Sequence, residues 1–233
     1  MSLANPKRTL APNHDVFLNV PYDKEYESLF IALIAGLCGL GLKPRCVLEI
    51  PFSEDEGGGP RLKRIFKLLS ACSFSIHDLS RVELSPELPI FPRFNMPFEL
   101  GLAVALSMHC RGHRWVVFEA RGHRLTKSLS DLNGWDPFIH GGTPEGVLRV
   151  MEDAFRRPNR RFRFKHSLTL FKSLAGFANE QKLLYRESSL FSGRMFEDLV
   201  FFGQERAREM EENRVPDLLR RTDAVLGHPG HHG

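Results

Sequence analysis

Apolar residues recur along this chain in short runs that alternate with stretches of helical spacing. Asp15-Val16-Phe17-Leu18-Asn19-Val20 is a compact apolar run ended by Pro21, which reads as a strand. Tyr26, Leu29, Phe30, Leu33, Ile34 and Leu37 follow at helical spacing as far as Gly39 and Gly41. Pro44 to Ile50 predicts a second strand and Arg61 to Ala71 a second helix, with the acidic, glycine-rich Ser53 to Pro60 as a loop between them. Ser73 to His77 predicts a third strand, Met96 to Met108 a third helix, and Arg114 to Glu119 a fourth strand. Trp135 to His140 offers a short fifth, leading into a helix over Pro144 to Phe155. Strands apolar on both faces, alternating with helices, predict a parallel sheet covered on each side.

The pattern changes near Phe155. Arg156 to Lys165 is strongly basic. Beyond it Leu168, Phe171, Leu174 and Phe177, then Phe191, Met195, Phe196, Leu199 and Phe202, predict two or three helices, with a last helical patch at Pro216 to Val225. The expected organisation is an α/β domain over residues 14–155, a helical extension over 156–226 and a disordered tail over 227–233. The aromatic face of the extension needs cover, from the sheet domain or from a second copy of the chain, and a homo-oligomer is the expected state.

Composition narrows the class. The 233 residues are 42% hydrophobic and 26% charged, ordinary for a globular protein, and the net charge of +4 permits anionic partners without demanding them. Cys38, Cys46, Cys72 and Cys110 show no paired spacing, which predicts free thiols in a reducing compartment. With no signal-peptide core in Met1 to Pro12 and no long apolar run, the expected location is the cytoplasm, with no membrane partner. Gly57-Gly58-Gly59-Pro60 lacks the Gly-Lys-Ser/Thr of a P-loop, and no Gly-x-Ser-x-Gly elbow is present. His109-Cys110-Arg111-Gly112-His113 has no second pair at zinc-finger spacing, so no metal site is expected.

The most informative segment is Phe94-Asn95-Met96-Pro97-Phe98-Glu99-Leu100-Gly101-Leu102-Ala103. It sets one carboxylate in an otherwise apolar helix, with Asn95 as the expected N-cap and Pro97 in the first turn. There the helix dipole would favour a charged Glu99 and burial would oppose it. Glu99 therefore reads either as a nucleophile or general base, or as a capping-box residue. In a parallel sheet, ligands bind beyond the carboxyl ends of the strands, which gathers Asn19 to Tyr22, the loop after Ile50, Asp78 to Arg81 and the Glu99 helix start on one edge.

Ser75-Ile76-His77-Asp78-Leu79-Ser80 followed by Glu99-Leu100-Gly101-Leu102-Ala103 resembles the nucleoside 2-deoxyribosyltransferase family. The same helix is similar to the Glu-bearing helix of the Toll/interleukin-1 receptor (TIR) domains of bacterial immune systems. Val16 to Asp23 looks like the first strand and ligand loop of either group, and Leu129 to Trp135 is similar to a segment near the end of the transferase sheet. Two features depart from both: the long helical extension, and Asn95-Met96-Pro97 where TIR domains carry Ser and Trp-Cys.

The resemblance implies a flavodoxin-like three-layer α/β fold with about five parallel strands, and chemistry at the C1′ carbon of a ribosyl group. It gives Glu99 the part of nucleophile, as in the transferases, or of a group that binds ribose hydroxyls and stabilises a cationic transition state, as in NAD-cleaving TIR domains. Asp78 matches the acidic residue that contacts sugar or leaving base, against a plain turn Asp. Tyr22 and Asp23 match the base-holding loop, against an N-cap for Asp23. Arg81 and Arg93 flank the long loop as phosphate ligands or solvated cations, while Asn19, Ser80 and Asn95 complete the expected substrate-binding set. No cofactor is called for; NAD or a nucleoside enters as substrate. The alternatives are a non-catalytic TIR-like nucleotide-sensing or protein-interaction module and, less favoured, a nucleic-acid surface at Arg156 to Lys165, whose Phe162 and Phe164 could stack bases.

Overall fold

The structure is a computed structural model that describes residues 8–9, 13–50, 61–82, 93–123, 127, 129–132, 134–155 and 164–213. Its centre is an all-parallel sheet of β1 (Asp15–Asn19), β2 (Lys43–Arg45), β3 (Phe74–Asp78), β4 (Arg114–Glu119) and β5 (Phe138–Ile139). The spatial order is β2-β1-β3-β4-β5, with Asn19 beside His77 and Asp78 beside Phe118. This is the flavodoxin-like order, and its switch point lies between β1 and β3, where connections leave to opposite faces and open a crevice at the strands' carboxyl ends. A separate parallel pair joins Arg8–Thr9 to Cys110–Arg111.

Alternation along the strands sorts the two faces. Val16, Leu18, Ile76 and Phe118 pack with α1 (Glu27–Gly39) and α4 (Pro144–Ala154), whereas Phe17 packs with α2 (Arg61–Ala71) and α3 (Asn95–His109). The helices and strands expected between residues 14 and 155 are thus present, with two differences: the fifth strand is formed only at Phe138–Ile139, and the run Pro44 to Ile50 is extended only to Arg45. From Cys46 the chain leaves the sheet and forms a 3-10 turn at Val47–Glu49, closed by Arg45, which donates to Glu49 at 2.7 Å and to Asp15 at 2.5 Å. As an edge strand, β2 has a partner on one side only, and of the apolar residues after Cys46, Val47 and Ile50 pack with α2 whereas Leu48 packs against the core shared by α1 and the extension.

α1 is buried from Leu29 to Cys38 without a polar face, because the sheet lies on one side and the extension covers the other. The extension is a helical hairpin of α5 (Phe164–Tyr185) and α6 (Gly193–Glu212), stacked through Phe177 and Phe202 with ring centroids 4.2 Å apart. Leu170, Leu174, Met195, Phe196 and Leu199 share one continuous core with β1 and α1. The aromatic face of the extension is therefore covered within the chain. Gly36 allows α4 this close, since a Cβ there would stand 2.5 Å from the Met151 sulfur. The basic run 156–163, the acidic loop 51–60 and the patch at 216–225 lie outside the described residues. Among the described residues, no helix is long and apolar enough to cross a membrane.

Candidate functional site at the carboxyl edge of the sheet

α3 opens at Asn95, and the residue before it, Phe94, contributes no side-chain cap. Asn95 is therefore the first helical residue and exposed, a correction to its expected place as N-cap. Glu99 consequently sits just beyond the first turn, where dipole stabilisation has faded, and neither half of a capping box is formed. It is half-buried, and among the described residues no donor bonds its carboxylate. Burial pushes its pKa from 4.5 up to about 7, with the Arg61 guanidinium at the start of α2 pulling the other way.

Tyr22 completes this corner. Its ring lies against Phe191 of the extension at 5.4 Å and edge-on to Phe30 at 6.4 Å, so the extension buttresses the first-strand loop. Its hydroxyl is hydrogen-bonded to the Cys46 thiol, and its pKa is raised first by burial, then by Cys46 and by the nearby Glu99 charge. Burial also holds Cys46 up at about 12, leaving it a neutral, unreactive thiol at neutral pH.

Asp78 and Ser80 occupy a different position from Glu99. Both are buried, on the α1 side of the sheet. Asp78 Oδ1 accepts from the Ser80 amide at 2.8 Å and the Ser80 hydroxyl at 2.5 Å, while Oδ2 accepts from the Tyr26 hydroxyl. His140 Nε2 is 3.2 Å from Oδ2 and 2.9 Å from Ser80 Oγ. Because His140 Nδ1 accepts the Gly142 amide, Nε2 must carry the proton and donate it. With its oxygens so occupied and no exposed surface, Asp78 acts as a hub that fixes the loops after β1, β3 and β5.

Asn19 belongs to a second buried chain on the opposite face. Its Nδ2 donates to His77 Nδ1 at 2.9 Å and to the Met96 carbonyl at 2.9 Å. His77 Nε2 lies 2.9 Å from Ser75 Oγ, Ser75 Oγ is 3.1 Å from His113 Nε2, and His113 Nδ1 is 2.9 Å from the Cys72 carbonyl. Only one proton arrangement satisfies all of these: His113 donates from Nδ1, Ser75 donates to His113, and His77 donates from Nε2 to Ser75. Both rings are then neutral. Burial agrees, lowering His77 to about 3, since a proton there would also be repelled by any on His113, and lowering His113 as well. The chain ties the start of α3, and with it Glu99, to β1 and β3.

Asp23, Arg81 and Arg93 are brought together, as one ionic cluster. Asp23 Oδ1 caps the turn Lys24–Tyr26 by accepting the Tyr26 amide at 3.1 Å. Its Oδ2 receives Arg81 at 2.9 Å and Arg93 at 2.5 Å, and Arg81 also pairs with Glu25. The two arginines, on either side of residues 83–92, are thus both fastened to the turn after β1.

Sequence reasoning missed Arg61, Tyr26, His77, His113 and His140. Arg61 carried a signal, since a cation in the first helical turn opposes the dipole unless a carboxylate compensates. The polar alternation Ser75-x-His77 in a strand covered on both faces also demanded partners. Among the described residues there is no group of three His, Cys, Asp or Glu side chains placed to hold a metal ion.

Comparisons with protein-family models, with curated proteins and with solved structures find no match to this chain. The fold is that of a three-layer α/β protein, with Glu99, which no donor among the described residues bonds, near the carboxyl edge of its sheet.

Proposed function

We propose that the chain cleaves or transfers at the N-glycosidic bond of a nucleotide such as NAD, or of a nucleoside, with Glu99 as the carboxylate that meets C1′. The observation that carries this reading is the state of Glu99: half-buried, without a donor among the described residues, and raised to about 7. A structural carboxylate would be satisfied, as Asp78 is. A carboxylate that no described donor bonds has lone pairs to offer a cationic partner.

The bond breaks with its electron pair leaving on the base nitrogen, while positive charge develops at C1′ and the ring oxygen; nicotinamide departs from the cationic pyridinium of NAD already neutral, whereas a nucleobase takes a proton from solvent. Ionised Glu99 captures that carbon as a glycosyl ester or neutralises its charge. Water, or an acceptor base, then takes the sugar. Tyr22 supplies a neutral aromatic wall, and Arg61 offers a cation for hydroxyl or phosphate oxygens. Arg81 and Arg93 hold the loop ends in place and Asp78 holds the strand ends, so their parts are positioning ones.

The test is incubation with NAD and with 2′-deoxynucleosides, following free base by chromatography beside Glu99→Gln. The wild type is expected to release base and the variant to lose at least about a hundredfold. Equal turnover by the variant would sink the mechanism, and tight binding with no product would point to a sensing module.

A further inference from the structure

We propose a second ligand site, distinct from the Glu99 edge, that takes a neutral planar heteroaromatic molecule of nucleobase size. A cleft of about 420 Å³ opens between β4, the end of α3 and the segment leading into β5, and its lining includes Ser107, Arg114, Trp115, Trp135, Asp136 and Phe138. That volume falls in the usual range for small-molecule sites. Ser107 lies eight residues beyond Glu99 on α3, about 12 Å along the helix axis, so the two sites sit towards opposite ends of the sheet.

Both tryptophans of the chain line this cleft. Trp115 is fixed: its indole N–H donates to Ser107 Oγ at 3.2 Å, and Ser107 in turn donates to the Val104 carbonyl at 2.7 Å. Trp135 leans on it at 4.5 Å between centroids and 40° between planes, yet is 56% exposed. Trp135, backed by the fixed Trp115 and largely exposed, is a stacking platform for a flat ring.

The polar groups set the ligand's charge. Asp136 is exposed at the cleft, and Arg114, also exposed, lines it with its guanidinium over the Phe74 ring at 5.7 Å, so an anion would meet the Asp136 charge and a cation would approach that of Arg114. A neutral ring with an amino donor and a ring-nitrogen acceptor answers both. That is the chemistry of a nucleobase edge.

The protein's own fluorescence reads this cleft, because it has no tryptophan elsewhere. The full chain is titrated with adenine, with ribose as a non-aromatic control, and affinities are checked by calorimetry. The expected result is saturable tryptophan quenching by adenine and none by ribose, with affinity weakened about tenfold in Trp135→Ala or Asp136→Ala. Both substituted side chains are exposed, and far-UV circular dichroism confirms that the variants are folded. No saturable quenching with adenine, or wild-type affinity in both cleft variants, would overturn the proposal. None of these outcomes depends on whether Glu99 is catalytic.

Discussion

Replacing Glu99 by Gln should make the protein more stable, and only above a definite pH. The carboxyl titrates at 4.5 when unfolded and at about 7 when folded, so the folded state binds more protons between those values. A raised folded pKa means that the wild type keeps its full stability below pH 4.5 and loses it as pH rises through about 7. At about 1.4 kcal/mol per pKa unit, discounted because Glu99 is only half-buried, the loss is roughly 2–3 kcal/mol. Gln has similar shape and no charge, so it escapes this loss. Urea unfolding of both proteins from pH 4.5 to 8.5 should give a stability difference near zero at the acid end, growing to that value by pH 7.5 in favour of Gln. A difference that is flat with pH, or that favours Glu at high pH, would refute the claim that the carboxylate is held under-solvated. Stability gained by removing a charged group is the usual signature of a site kept for function.

The remaining predictions concern the scaffold. His77 is neutral and lowered to about 3, so its contribution is present above pH 6.5 and lost as pH falls towards 3; the wild type should lose roughly 2 kcal/mol between pH 6.5 and 5 through His77 alone, and His77→Gln should flatten that slope in the same unfolding assay. Asp78→Asn sets an amide against the Tyr26, Ser80 or His140 donors and should cost roughly 3–5 kcal/mol in urea unfolding, whereas a cost below about 1 kcal/mol would contradict the hub. Gly146→Ala should destabilise by about 2 kcal/mol or more in thermal melts, although Ala normally improves a helix, because its Cβ would stand 1.8 Å from the His140 carbonyl oxygen.

The sheet and its helices were legible because their cause is local. α1 could be read from Leu29 to Leu37, and its lack of a polar face already required cover on both sides, which the extension supplies. β2 was over-read because Val47, Leu48 and Ile50 are apolar for packing below α2 and against the extension, a tertiary reason that mimics a strand pattern. At the site, residue types were legible and directions were not. Asp78, Ser80 and Asn19 were correctly brought to the strand ends, yet the pleat turns Asp78 towards α1 and Asn19 towards α3, so each serves a buried network. Arg81 and Arg93 were read as phosphate ligands or solvated cations, and the fold sets both on Asp23, a pairing across 58 and 70 residues that no spacing rule could reveal.

The most direct test of the central claim is the pH dependence of base release from NAD or a 2′-deoxynucleoside, with Glu99→Gln as the blank. If ionised Glu99 meets the sugar carbon, kcat/KM of the wild type rises about tenfold per pH unit below 7 and levels off above it, and the variant shows no such limb. Turnover that is independent of pH across 5 to 8, or that persists undiminished in Glu99→Gln, would contradict it.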